Sequence, residues 1–251
     1  MNVAVALLLV ALAASQSRLD ALVAALRPVL PFPAATVDGA LPVDNSAQAK
    51  WFVVWPADPS DSLIVVKANP LHPEVQKAGA DAMSRINAAV AMAERKAQAA
   101  YDKALEELRR TGGGSDIESI TLDDEGVAGE RIDAELELSI ELQPVASFAV
   151  ASAEAPVIAP GATGATWIVT IPANTYRSRR GGDSRERFRA AEARLYFGTV
   201  PKPTVARQGD EPLFNVTVAA GTGTYAVVVR GNETLLKQVV TTTDWSRLSG
   251  R

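Results

Sequence analysis

Six arginines, Arg177, Arg179, Arg180, Arg185, Arg187 and Arg189, crowd the segment from Tyr176 to Arg189. Only Asp183 and Glu186 oppose them, so the segment carries a surplus of four positive charges on a chain of formal net charge -4. Guanidinium forks match the oxygens of phosphate, sulfate and carboxylate groups. With Gly181-Gly182 at its centre, the segment reads as a loop able to hold an anionic glycan, another polyanion, a lipid headgroup or an acidic partner surface. Without such a ligand it is a solvated connection between two strands.

Carboxylates are the second candidate. From Ile132 to Leu142, apolar residues alternate with Asp133, Glu135, Glu137, Ser139 and Glu141. That period of two predicts a strand with one buried and one acidic face. Paired carboxylates can hydrolyse glycosidic bonds without cysteine or histidine, which makes an exported carboxylate-based glycan hydrolase the alternative function. The plainer reading is a solvated strand face. Asp123-Asp124-Glu125-Gly126 lacks the regular spacing of a calcium loop.

Other chemistries are closed. With no cysteine, disulfides, thiol nucleophiles, zinc-thiolate sites and iron–sulfur clusters are excluded. The one histidine, His72, lies in Asn69-Pro70-Leu71-His72-Pro73, a turn predicted to lead into a helix, where it caps or faces solvent. No phosphate-binding glycine loop stands between a strand and a helix. No catalytic residue, cofactor or metal site is predicted, and a pI near 5.2 argues against a general nucleic-acid binder.

The elements that must position these side chains follow from periodicity. A helix is predicted from Pro73 to Arg110: Met83, Ile86, Val90, Ala93, Ala97, Ala100 and Ala104 recur at alternating three and four spacing. Pro73 suits a first helical turn, and Gly112-Gly113-Gly114 stops the run. At about 1.5 Å per residue it reaches roughly 55 Å, longer than an ordinary domain is wide. It is expected to cover a small antiparallel sheet; alternatively its alanine stripe meets a second chain, as a protein partner or by self-association.

Trp51–Trp55 and Ser62–Lys67 predict a hairpin with Val53, Val54, Ile64, Val65 and Val66 in its core. Residues 1–15 carry a ten-residue apolar run followed by small residues, the pattern of a secretory signal, and too short to cross a bilayer of about 30 Å. Leu19, Leu22, Val23, Leu26 and Leu30 then predict a short amphipathic helix, ended by Pro28, Pro31 and Pro33. A connector reaches residue 44.

Beyond Pro144, strand runs at Val145–Ala151, Ala165–Ile171, Ala193–Val200, Leu213–Ala219, Thr224–Arg230 and Thr234–Thr242 are divided by Gly, Pro and Asn. The run Gly223 to Arg230, then Gly231-Asn232 and a return strand, resembles the last hairpin of an immunoglobulin-like domain, with Tyr225 at the tyrosine-corner position and Trp167 as a core aromatic. The resemblance implies a cysteine-free module of the kind that spaces, stacks or adheres in exported bacterial proteins. The expectation is therefore an α+β protein: an α+β domain over 45–143 with the long helix, then an immunoglobulin-like β-sandwich over 145–251. Its expected function is non-enzymatic, exported (periplasmic or extracellular), in assembly or surface attachment.

Overall fold

A computed structural model of the chain describes residues 16–36, 48–57, 62–111, 123–161, 164–180, 183–209, 212–221 and 223–249. Leucines at helical spacing do what their spacing predicts: residues 16–26 form helix α1, and Leu19, Leu22, Leu26 and Leu30 are buried. The elements that follow are β1 (Ala34–Ala35), β2 (Trp51–Val54), β3 (Leu63–Ala68), α2 (Pro73–Thr111), α3 (Asp123–Leu136) and β4 (Glu137–Gln143). Then come β5 (Phe148–Ala151), β6 (Val157–Pro160), β7 (Trp167–Ile171), β8 (Asn174–Arg180), β9 (Asp183–Arg189) and β10 (Ala191–Phe197). The chain closes with β11 (Thr204–Arg207), β12 (Leu213–Thr217), β13 (Tyr225–Gly231) and α4 (Glu233–Thr242). The fold is α+β.

One eight-stranded sheet, ordered β1-β2-β3-β4-β13-β10-β7-β6, draws strands from both halves of the chain. This corrects the expected division at residue 144. Pro144 ends β4, but the free edge of β4 is taken by β13, with Ile140 opposite Val229. A hairpin from the first half and strands from the second thereby share one hydrogen-bonded ladder.

The face of that sheet carrying Val53, Ile64, Val66, Leu138, Ile140, Leu195, Phe197, Val227 and Val229 is covered by α1 and α4, through Leu22, Leu26, Leu235, Leu236 and Val239. Phe197 stacks on Tyr225 at 5.1 Å and meets fully buried Trp245. Over β7, β10 and β13, the opposite face packs on a three-stranded sheet, β11-β12-β5, through Val150, Val169, Ile171, Tyr196, Phe214 and Val216. Trp167 borders this second core, its indole N–H donating to the Val200 carbonyl at 2.9 Å.

Three expectations are corrected. The helix predicted from Pro73 forms, but its main neighbour among the described residues is α3, and the sheet is covered by α1 and α4 instead. Residues 132–136 belong to α3, and only Glu137–Gln143 are strand. Ile132 and Leu136 are four apart as well as alternating, so the same residues satisfy a helix, which then runs into β4 without a loop. Lastly, the expected return strand Thr234–Thr242 is α4. Asn232 caps it by accepting from the Leu235 N–H, and Leu235, Leu236 and Val239 bury one face, which overrides the β-branched composition. The hairpin that carried the immunoglobulin-like resemblance is therefore not formed.

His72 caps α2 as expected. Its Nδ1 accepts from the Glu74 N–H at 3.3 Å, and its carbonyl accepts from Val75 and Gln76. Asn69, fully buried, braces the turn before it by donating to the Ala49 carbonyl and accepting from Leu71.

Candidate functional site

Strands β3, β4 and β13 lie side by side, and their registers place Lys67 opposite Glu137 and Ser139 opposite Arg230. These residues form the floor of a cleft of about 660 Å³. Glu130, Asp133 and Leu136 of α3 make one wall, and Phe188 with Ala190 makes the other. Two local features hold the walls in place. At Gly231, φ is +127° and a side-chain carbon would meet the Glu137 carbonyl at 2.1 Å, so only glycine lets β13 pass so close to the start of β4. Next to it, Asn232 donates its backbone N–H to the Glu137 carbonyl and its side-chain amide to the Glu135 carbonyl while capping α4. One residue thus joins the end of α3, the start of β4 and the start of α4.

Within the cleft, Lys67 stands 3.7 Å from Glu137. Glu130 accepts from Arg187 at 3.2 Å and from the Phe188 N–H at 2.7 Å, which fastens the β8–β9 hairpin to α3. Arg131 lies 5.2 Å above the Phe188 ring and strengthens the same contact.

Behind the floor is an ionic cluster. The Glu192 side chain is 0% exposed and faces three guanidinium groups: Arg189 at 2.7 Å, Arg194 at 2.6 Å and Arg230 at 2.6 Å. Burial pushes the Glu192 carboxyl up, but the charges of Arg194, Arg230 and Arg189 outweigh it and hold the group below its ordinary 4.5. Burial, the largest influence on Arg189, lowers its pKa. Arg194 also lies 3.5 Å from the centre of the Phe148 ring. Among the described residues, the Arg189 Nε is buried without a hydrogen-bond partner.

The six sequence-selected arginines are divided. Their segment is an antiparallel hairpin, not a loop. Arg177 pairs with Glu186 at 3.6 Å, Arg187 with Glu130, and Arg189 with Glu192. The side chains of Arg179, Arg180 and Arg185 lie outside the described residues, as do those of Asp123–Gly126 and all of residues 1–15 and 112–122.

Sequence reasoning missed Glu192, Arg194 and Arg230. A signal was present: Glu192 and Arg194 share one face of an otherwise apolar strand, where two charges only fit if paired. Asn215-Val216-Thr217 and Asn232-Glu233-Thr234 both fit the glycosylation pattern, and the Asn232 amide is engaged in the folded chain. Among the described residues, no group of three or more metal-ligating side chains could hold an ion, and no helix is long and apolar enough to cross a membrane.

Comparison with family models, curated proteins and solved structures found no match.

Proposed function

We propose that this is a non-enzymatic, exported binding protein that works in assembly or surface attachment, with α2 as the surface that meets its partner, a second copy of the chain. The observation that carries this is the exposure of α2. Its 39 residues extend about 58 Å at 1.5 Å per residue, whereas the 14 residues of α3 extend about 21 Å. Among the described residues, much of α2 lies beyond that neighbour. Met83 is 55% exposed and Tyr101 49% exposed, with Leu108 also exposed on the same side at helical spacing. Met92 is 60% exposed on the opposite side. Apolar side chains left outside along a charged helix are what an assembly surface requires. The small alanines between them would let a second helix come close.

Export rests on the apolar run in residues 1–15, and the cleft carboxylates do not favour a hydrolase. Glu130 is engaged by Arg187 and the Phe188 N–H, and Glu137 by Lys67, whereas glycoside hydrolysis needs a pair of carboxylates free to flank the scissile bond. The test is light scattering on the purified chain. The expected mass exceeds that of a monomer at micromolar concentration, and Met83→Glu with Tyr101→Glu returns it to monomer with unchanged circular dichroism. A monomer in the unsubstituted chain removes the assembly reading.

A further inference from the structure

The charges around Glu192 do not balance. One carboxylate, fully out of solvent, meets three guanidinium groups, so the cluster keeps a surplus of two positive charges. Two of the three are largely withdrawn from water, at 20% and 16% side-chain exposure for Arg189 and Arg194. Surplus charge in such a place needs a counter-charge or an opening to solvent. The opening exists: the Arg230 side chain is 50% exposed and lines the cleft. Arg230 uses Nε and one Nη on the same Glu192 oxygen, at 2.8 and 2.6 Å, which fixes the plane of its fork. Lys67 stands on the other side of β4, and the Ser139 hydroxyl donates to the Arg230 carbonyl at 3.3 Å.

We infer that the cleft is a binding site for a small polar molecule with an oxyanion head, a carboxylate or a phosphate, seated on Arg230 with Lys67 beside it. The cleft carboxylates decide what the rest of the ligand must be. Glu130 is held by Arg187 and the Phe188 N–H, and Glu137 by Lys67. Asp133 on the α3 wall faces the same space and favours a hydrogen-bond donor, such as a hydroxyl, on the body of the ligand. The volume of about 660 Å³ suits a small metabolite. Glu192 acts here as a positioning residue: it orients the Arg230 fork and does not touch the ligand.

The experiment is NMR titration of the full chain, following the arginine Nε–H resonances and, in the variants, the backbone amides of the cleft, with inorganic phosphate and with lactate as separate probes and choline as the cationic control. Phosphate or lactate is expected to shift the Arg230 resonance, and choline is not. Arg230→Gln is expected to weaken binding by about tenfold or more, and Lys67→Gln by a smaller factor, while Arg95→Gln on α2 leaves it unchanged. Response to both probes supports a general oxyanion site; response to one names the head group. Should Arg230→Gln fail to fold, Lys67→Gln carries the decision. No Arg230 shift with either probe, or undiminished binding in Lys67→Gln, overturns the inference, as does undiminished binding in a folded Arg230→Gln.

Discussion

Helices α1 and α2 are both amphipathic, yet they end in opposite surroundings. The described part of α1 is 11 residues, 16–26, and its stripe is Leu19, Leu22 and Leu26, all buried under the main sheet. In α2, 39 residues carry a stripe that is alanine along most of its length, and most of its side chains are exposed. Length does not decide which helix covers a sheet. Each fully buried leucine contributes about 1.5–3 kcal/mol, whereas alanine has little apolar surface to remove from water. A short leucine helix therefore wins the core position, and a long alanine helix is left available for a second helix.

The sharpest break in this comparison comes at Glu192, whose removal would leave three guanidinium groups uncompensated in the sheet that α1 covers. Glu192→Ala is expected to cost about 3–5 kcal/mol in chemical denaturation. A loss below about 1 kcal/mol would mean the cluster is not ionised as described. The same carboxylate sets an acid limit. Its folded pKa lies below its unfolded one, so its contribution is present above the unfolded value and fades as pH falls through the folded value. Glu192→Gln should flatten that part of the acid stability profile.

Leu26→Ala and Met83→Ala test the two helices directly. The first is expected to cost about 2–5 kcal/mol and the second to stay within about 0.5 kcal/mol. Comparable losses would contradict the contrast between buried α1 and exposed α2.

Much of this was legible in the residues, and the failures have physical causes. The leucine spacing of α1, the hairpin β2–β3 and the N-terminal cap of α2 follow from local rules, because the residues that form them are close in sequence. Pairing of β4 with β13 could not be read, since Ile140 and Val229 meet only through the long-range register. The alternation from Ile132 to Leu142 fits two periods at once, and only packing of α3 against the β8–β9 hairpin and α2 settles where helix gives way to strand. At the cleft, the arginine-rich segment was visible, but Glu192, Arg194 and Arg230 come together only once β10 lies beside β13.

Smaller effects refine the picture around the junction. Asn232→Ala removes the α4 cap and the side-chain tie to the Glu135 carbonyl, keeps the backbone N–H bond to Glu137, and is expected to cost about 1–2 kcal/mol by thermal denaturation. Its Ser variant should recover part of the cap. At the alkaline end, burial pushes Tyr196 and Tyr225 up to about 12 from an ordinary 10.0. Their stabilising effect is complete below the unfolded pKa and declines as pH rises through the folded values. Ultraviolet titration should show two tyrosines ionising late and together with unfolding; early ionisation of both would place them outside the core.

The most direct measurement is hydrogen exchange of the full chain at two protein concentrations. Amides of α1, β10 and β13 should be strongly protected and indifferent to concentration, while those of α2 from Met83 to Leu108 gain protection as concentration rises. Equal protection of α2 at both concentrations, matching that of α1, would contradict the claim that the leucine helix closes the core and the alanine helix is left to meet a partner.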